Sequence, residues 1–128
     1  MIENVDKSIN ILIVDDHALT RDMVRVILRQ FGFVNVTTAE NGQKALERLQ
    51  EVKFELVICD WNMPEMKGID LLRAMRASPK YSTIKFIMLT AEAYKESVKE
   101  AVNLKVSGYI AKPFTAAQLG EQIQKVMS

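Results

Sequence analysis

The chain has 128 residues, enough for one compact domain and short for two. Its 48% hydrophobic and 26% charged residues suit a folded globular protein, and a net charge of +1 supplies no global field for nucleic acid or an anionic membrane. The one cysteine, Cys59, excludes an internal disulfide and fits a reducing cytoplasm, while no stretch nears the roughly 20 apolar residues of a membrane span. The opening "MIENVDKSIN" has no apolar core of an export signal, so a single cytoplasmic domain over residues 1–128 is expected.

"INILIV" (9–14) reads as a buried strand, and Met23, Val24, Ile27, Leu28 and Phe31 then share one helical face that Gly32 ends. "NVTT" (35–38) is a short second strand, and Ala45, Leu46 and Leu49 form the next helical stripe. "FELVIC" (54–59) is a third strand, leading into the loop "WNMPEMKG" with its Pro64 and Gly68. Ile69, Leu72 and Met75 mark a helix that must end before "SPKYS". "IKFIML" (84–89) is a fourth strand, with a helix following from about Ala93 to Leu104. "SGYIA" (107–111) is a fifth. Thr115 and Gln118 resemble a capping box opening a last helix with Leu119, Ile123, Val126 and Met127 inward. Strands alternating with helices in this way predict an α/β fold, a doubly wound (βα)5 parallel sheet with helices on both faces.

In such sheets ligands gather beyond the carboxyl ends of the strands. The first strand ends in Asp15 and Asp16, the third in Asp60, the fourth in Thr90 and the fifth at Lys112, whereas the second ends blandly at Ala39 and Glu40. Taken singly, the acidic pair is a turn and helix start, Thr90 a cap residue, and Lys112 before Pro113 a solvated loop lysine. Converging on one rim, they ask for something more. Clustered carboxylates resist joint ionisation unless a cation relieves them, and Mg2+ is the natural ion because it takes one or two carboxylates and keeps sites for water and phosphate oxygens. A carboxylate can itself accept a phosphoryl group, with the metal, Lys112 and Thr90 supplying charge neutralisation and positioning. No separate acid for a leaving group is visible.

With "ILIVDDHALTRDMVR", "VICDWNMPEMKGIDLL", "MLTAEA" and "SGYIAKPFTAAQL" in place, the chain resembles the receiver domains of two-component response regulators over about Asn10 to Val126. Among these it is most similar to stand-alone chemotaxis regulators. The resemblance implies the flavodoxin-like strand order 2-1-3-4-5. It also implies that Asp60 is the phosphoacceptor, fed by a CheA-like histidine kinase. Asp16, Asp60 and the backbone carbonyl of Asn62 would bind Mg2+ with Asp15 assisting, Lys112 would pair with phosphoryl oxygens, and the Lys112–Pro113 bond would be cis. Thr90 and Tyr109 would form the switch, Thr90 moving towards the phosphoryl group and Tyr109 turning into the vacated space. Asn62 and Glu92 would tune hydrolysis and favour a short-lived phosphorylated state.

The same resemblance makes the chain a monomeric phosphoacceptor signalling protein that assists its own phosphorylation and dephosphorylation, rather than an enzyme. Its output face would be the fourth helix, fifth strand and fifth helix, with Lys95, Val98, Lys99 and Tyr109 meeting a flagellar motor switch protein. A phosphatase is a further implied partner; nucleic acid and membrane are not. With no effector segment after the last helix, output is expected through binding another protein.

Tyr94, Gln122, Gly120 and His17 depart from the chemotaxis pattern and leave the target open between the motor switch, another relay and a non-flagellar output. Gly120 costs roughly 1 kcal/mol relative to alanine inside a helix. His17 is read as the first helix residue, Cys59 as core, and Trp61 as partly exposed beside Asp60. Met63 and Met66 are placed against the acidic pocket; Met75, Met88 and Met127 are read as core filler. A flavodoxin-like carrier or an aspartate-based phosphatase is the competing class. Against it, the glycines at 32, 42, 68, 108 and 120 are scattered, no glycine-rich phosphate loop follows the first strand, and the acids there are adjacent rather than two apart. A non-phosphorylated adaptor of the same fold leaves the filled site positions unexplained.

Overall fold

The structure, a computed structural model, describes residues 2–91 and 95–128; of residues 95–98 only the backbone course is described. Five parallel strands, β1 (Asn10–Val14), β2 (Asn35–Ala39), β3 (Leu56–Asp60), β4 (Lys85–Thr90) and β5 (Gly108–Ala111), form one sheet in the order β2-β1-β3-β4-β5. Helices α1 (Ala18–Gln30), α2 (Gly42–Glu51), α3 (Gly68–Ala77), α4 (Lys95–Asn103) and α5 (Ala116–Met127) connect and cover it. The fold class and strand order are those expected. No described helix is long and apolar enough to cross a membrane.

Period two along each strand divides the core into two halves. Ile11, Ile13, Leu56, Ile58, Ile87, Leu89 and Ile110 pack with α1 and α5, burying Val24, Leu28, Leu119 and Ile123. Leu12, Val14, Val57, Cys59, Phe86 and Met88 point the other way, against Ala45 and Leu49 of α2, Leu72 and Met75 of α3 and Ala101 of α4. Because both faces of the central strands are dry, β3 is buried at every position, which explains why it reads as a continuous apolar run.

Local signals set the helix starts. Thr115 accepts from the Gln118 N–H while the Gln118 side chain accepts from the Thr115 N–H, so the predicted capping box is present. Asn41 caps α2 through the Lys44 N–H at 2.8 Å. His17 is the residue before α1 rather than its first. The strands β3 and β4 each run one residue further than expected, so Asp60 and Thr90 lie inside them, and Ala93 of the expected fourth helix lies outside the described residues.

Two expectations about burial change. Met23 is 46% exposed, because α1 turns Val24, Ile27 and Leu28 to the sheet and leaves Leu19, Met23 and Val26 outside. The N-terminal segment before residue 9, which carried no sequence signal, buries Ile2 and Val5 in the α1–α5 half of the core beside Ile9. The Lys7 ammonium ties it down by donating to the Ile2 and Val5 carbonyls and lying 5.4 Å from the centre of the Phe33 ring. Gly120, costly for a helix by itself, sits where an added Cβ would come within 2.8 Å of the Phe31 ring.

Gly68 is the glycine that matters most for the rim. Its N–H donates to the Trp61 carbonyl at 2.9 Å, closing the loop after β3, and a Cβ there would run into the Asp60 carbonyl and reach Met88 Sδ at 3.0 Å. The Asp60 backbone is held in the sheet and cannot yield. Gly68→Ala is therefore expected to lower stability by about 1–3 kcal/mol, read as a fall in the urea midpoint at constant slope.

Candidate functional site

The residues at the strand ends are placed by backbone hydrogen bonds that continue the ladders one step past the strands. Asp15 N–H donates to the Ala39 carbonyl at 3.1 Å, Trp61 N–H to Leu89 at 2.7 Å, and Lys112 N–H to Thr90 at 2.7 Å. With Val14 opposite Cys59, Asp15 comes level with Asp60. The pleat does the rest. Asp15 follows Ile11 and Ile13, Asp60 follows Leu56 and Ile58, and Lys112 follows Ile110, so all three share the α1–α5 side of the rim.

There the Lys112 ammonium donates to Asp60 Oδ1 at 3.0 Å and to Asp15 Oδ2 at 3.2 Å. Asp15 and Asp60 are almost wholly buried and Asp16 is partly so. Asp15 Oδ1 accepts the His17 backbone N–H at 2.9 Å, so both Asp15 oxygens are engaged, and its carbonyl accepts from Arg21 Nη1 at 2.7 Å. Asp16 Oδ1 is buried and accepts no hydrogen bond among the described residues. His17 Nδ1 is 3.1 Å away, close enough for an ion pair but without the geometry of a hydrogen bond. Three carboxylates thus face one lysine.

The electrostatics follow. Burial, reinforced by the charges of Asp15 and Asp16, pushes the Asp60 carboxyl above its ordinary value against the opposing bond to Lys112. Burial alone would lower Lys112, but its bond to Asp60 and the charges of Asp15 and Asp60 outweigh that and hold it above its ordinary value. One ligand atom from each of Asp15, Asp16, His17 and Asp60 can be chosen so that all lie within 4.8 Å of one another. A compact set of hard oxygens, one of them buried and unsatisfied, fits a divalent cation such as Mg2+.

Thr90 is fully buried, and Tyr109, half-buried, hydrogen-bonds its side chain. By strand parity both belong to the opposite side of the sheet from the lysine and acids: Thr90 follows Phe86 and Met88, and Tyr109 packs with the α2–α3 half of the core. The Lys112–Pro113 peptide bond is cis, as the resemblance implies. Asn62 is exposed in the loop after β3, and Lys99 is exposed on α4. Glu92 and Tyr94 lie outside the described residues, as do the side chains of Lys95 and Val98.

Trp61 corrects an expectation: it is buried, not partly exposed, because its position continues Val57 and Cys59 into the α2–α3 half of the core. Met63 is buried in that same half, Met66 is partly buried and covers Gly42, and Met75 and Met88 are core as expected. Cys59 is buried next to Asp60, its thiol pushed up by burial. Arg21 and His17 are what sequence reading missed at the rim. Their signal was only their spacing from Asp15, which acquires meaning once α1 is known to start at Ala18.

The raised carboxyl gives a pH dependence with a definite sign. In chelator, the unfolded chain ionises Asp60 at the ordinary carboxylate value and the folded chain only at the raised one, so stability falls between the two as pH rises. Asp60→Asn is expected to be more stable than wild type at neutral pH by on the order of a few degrees in melting temperature, with the gap closing below the ordinary carboxylate range. Adding Mg2+ should stabilise wild type and not the variant. A wild-type melting temperature unmoved by Mg2+ would contradict this.

The family pattern of the response regulator receiver domain matches residues 11–124. The chain is 45% identical to the chemotaxis protein CheY-3 of Vibrio cholerae over 122 residues, 95% of this chain and 94% of that one. It is also 45% identical to the chemotaxis protein CheY of Pseudomonas aeruginosa over 116 residues, 91% and 94% of the two chains. A crystal structure of Vibrio cholerae CheY4 superposes with a TM-score of 0.87 at 34% identity, covering 93% of this chain and 98% of that one. An acid-lined rim bridged by one lysine, on a 2-1-3-4-5 sheet, is thus accompanied by sequence likeness over nearly the whole length: the chain belongs to the response regulator receiver domain family and is a two-component response regulator similar to CheY.

Proposed function

We propose that the chain is a phosphorylation-activated switch in chemotaxis, taking a phosphoryl group on Asp60 from a histidine kinase and then binding a target, the flagellar motor switch. The observation that carries this reading is the Lys112 ammonium bridging Asp60 and Asp15 beside the unsatisfied, buried Asp16 Oδ1. The chemotaxis names of the relatives at 45% identity support the pathway. Residues 1–128 are read as one receiver unit that acts through a partner.

In this reading an Asp60 carboxylate oxygen attacks the phosphorus of a phosphohistidine. The P–N bond breaks, its electron pair goes to the imidazole nitrogen, and an acyl phosphate forms on Asp60. Lys112, already on Asp60, shifts its donors to the new phosphoryl oxygens, and Asp15 holds the ammonium in place from the other side. Asp16, Asp60 and the Asn62 carbonyl would hold Mg2+, with Asp15 assisting. When bound, Mg2+ offsets the carboxylate charge and that of the phosphoryl oxygens. Thr90 then turns its hydroxyl to the phosphoryl group, releasing Tyr109 to move inward. Water attack returns Asp60 and inorganic phosphate, a step that the family resemblance assigns to Asn62 and Glu92 to tune.

The face comprising α4, β5 and α5, with Lys95, Val98, Lys99 and Tyr109, is the proposed partner surface. Gln122 favours keeping a second target in view, a relay or non-flagellar output. Its Oε1 lies against Gly108 of β5, on the proposed surface itself, where a chemotaxis relative often carries lysine.

Beryllofluoride with Mg2+, a stand-in for the phosphoryl group, is expected to change Trp61 fluorescence saturably, and Asp60→Asn to abolish the response. Acetyl phosphate should modify Asp60, and the adduct should decay within minutes; a half-life of hours would remove the short-lived state. In a pull-down, a motor switch protein should be enriched only with the activated chain. Enrichment of a different target would leave the switch and replace its output.

A further inference from the structure

His17 is the only histidine in the chain, and it stands at the acidic rim. Its Nδ1 lies 3.1 Å from Asp16 Oδ1 and 3.3 Å from Asp15 Oδ1. Two neighbouring ligands on an octahedral ion with bonds of ~2.1 Å are ~3.0 Å apart, and two opposite ones ~4.2 Å. The Nδ1–Oδ1 separation of 3.1 Å already matches an octahedral edge. The 4.8 Å span of the four-residue set needs to close by about 0.6 Å to match two opposite ligands.

The other oxygens narrow the choice of ligands. Asp15 Oδ1 accepts the His17 N–H, and Asp15 Oδ2 and Asp60 Oδ1 accept from Lys112. The oxygen nearest the imidazole nitrogen is Asp16 Oδ1, the buried atom with no hydrogen bond among the described residues. The His17 side chain is 68% exposed, so it can turn without disturbing the core. An imidazole is a poor ligand for Mg2+, which holds oxygens and water, and a good one for Zn2+, Co2+ and Ni2+.

We propose that His17 Nδ1 is a ligand for borderline divalent transition ions, so that the rim accepts Zn2+ through carboxylates and one imidazole in addition to Mg2+ through oxygens. The proposal rests on the reading of this cluster as a divalent-ion site. His17 then widens the choice of metal rather than creating the site. The competing account is that the imidazole only hydrogen-bonds Asp15.

The test uses the untagged full chain, freed of metal, titrated with Zn2+ and separately with Mg2+. Binding is followed by calorimetry and by the nitrogen NMR signals of the lone imidazole. Zn2+ should shift the Nδ1 signal, and excess Mg2+ should reverse the shift. His17→Ala should weaken Zn2+ binding by about tenfold or more and Mg2+ binding far less. Equal losses for both ions, or an unmoved Nδ1 signal with Zn2+ bound, would overturn the proposal while leaving the Mg2+ site intact. If neither ion binds wild type, or Asp16→Asn leaves Mg2+ affinity as it was, the divalent-ion reading itself fails.

Discussion

Everything at the rim depends on one ammonium shared by two buried carboxylates. Lys112 reaches Asp60 at 3.0 Å and Asp15 at 3.2 Å, and a third acid, Asp16, stands beside them with a buried oxygen unsatisfied. A single lysine cannot satisfy three acids, so the folded chain carries excess negative charge where burial makes charge costly. The raised Asp60 carboxyl and the raised Lys112 ammonium are two signs of that imbalance. The surrounding core makes it tolerable: roughly 1.5–3 kcal/mol attends each fully buried aliphatic side chain, and Ile11, Ile13, Leu56, Ile58 and Ile87 pack on the same side of the sheet. Such an imbalance gives the protein something to gain from a cation and from a group that re-employs the lysine.

The pleat divides the labour. Odd positions of β1 and even positions of β3 and β5 lead to Asp15, Asp60 and Lys112 on the α1–α5 side. The alternate set leads to Trp61, Thr90 and Tyr109 on the side covered by α2, α3 and α4. A shift of one residue in any strand would exchange the two sets. Register is therefore as much a part of the site as the side chains, and the bonds from Asp15, Trp61 and Lys112 back into the sheet keep it.

Much of this was legible in the sequence, and the exceptions have physical reasons. The alternation of strands and helices, the capping box at Thr115, and the chemistry at four strand ends could all be read from residue type and period. Trp61 was misplaced because its place beside Asp60 suggested partial exposure, whereas strand parity, carried on from Val57 and Cys59, points it into the core. Met23 was misplaced for the opposite reason. A helix of alternating apolar residues has room for a stripe wider than the surface it covers, and only the packing decides which edge stays outside. Ile2 and Val5 left no trace because two isolated apolar residues in a polar segment have no period, and what ties their backbone down is the Lys7 amine, which donates to both of their carbonyls. Gly120 looked like a fault in the last helix until Phe31 was found against it.

The two halves of the proposed switch meet at a single peptide. Lys112 N–H donates to the Thr90 carbonyl at 2.7 Å, so the lysine that holds the acids and the threonine that hydrogen-bonds Tyr109 are joined through one ladder bond across β4 and β5. In the proposed switch, charge added at Asp60 would pull on the lysine from one side of the sheet, and space opened around Thr90 would be felt by Tyr109 on the other. Neither event requires the sheet to deform, because the side chains lie on opposite faces of strands whose backbones stay paired. Packed cores resist continuous deformation and favour discrete rearrangements. The proposed change, confined to one lysine, one threonine and one half-buried tyrosine, would be the least disruptive way for this fold to carry a signal from its acidic rim to the surface of β5.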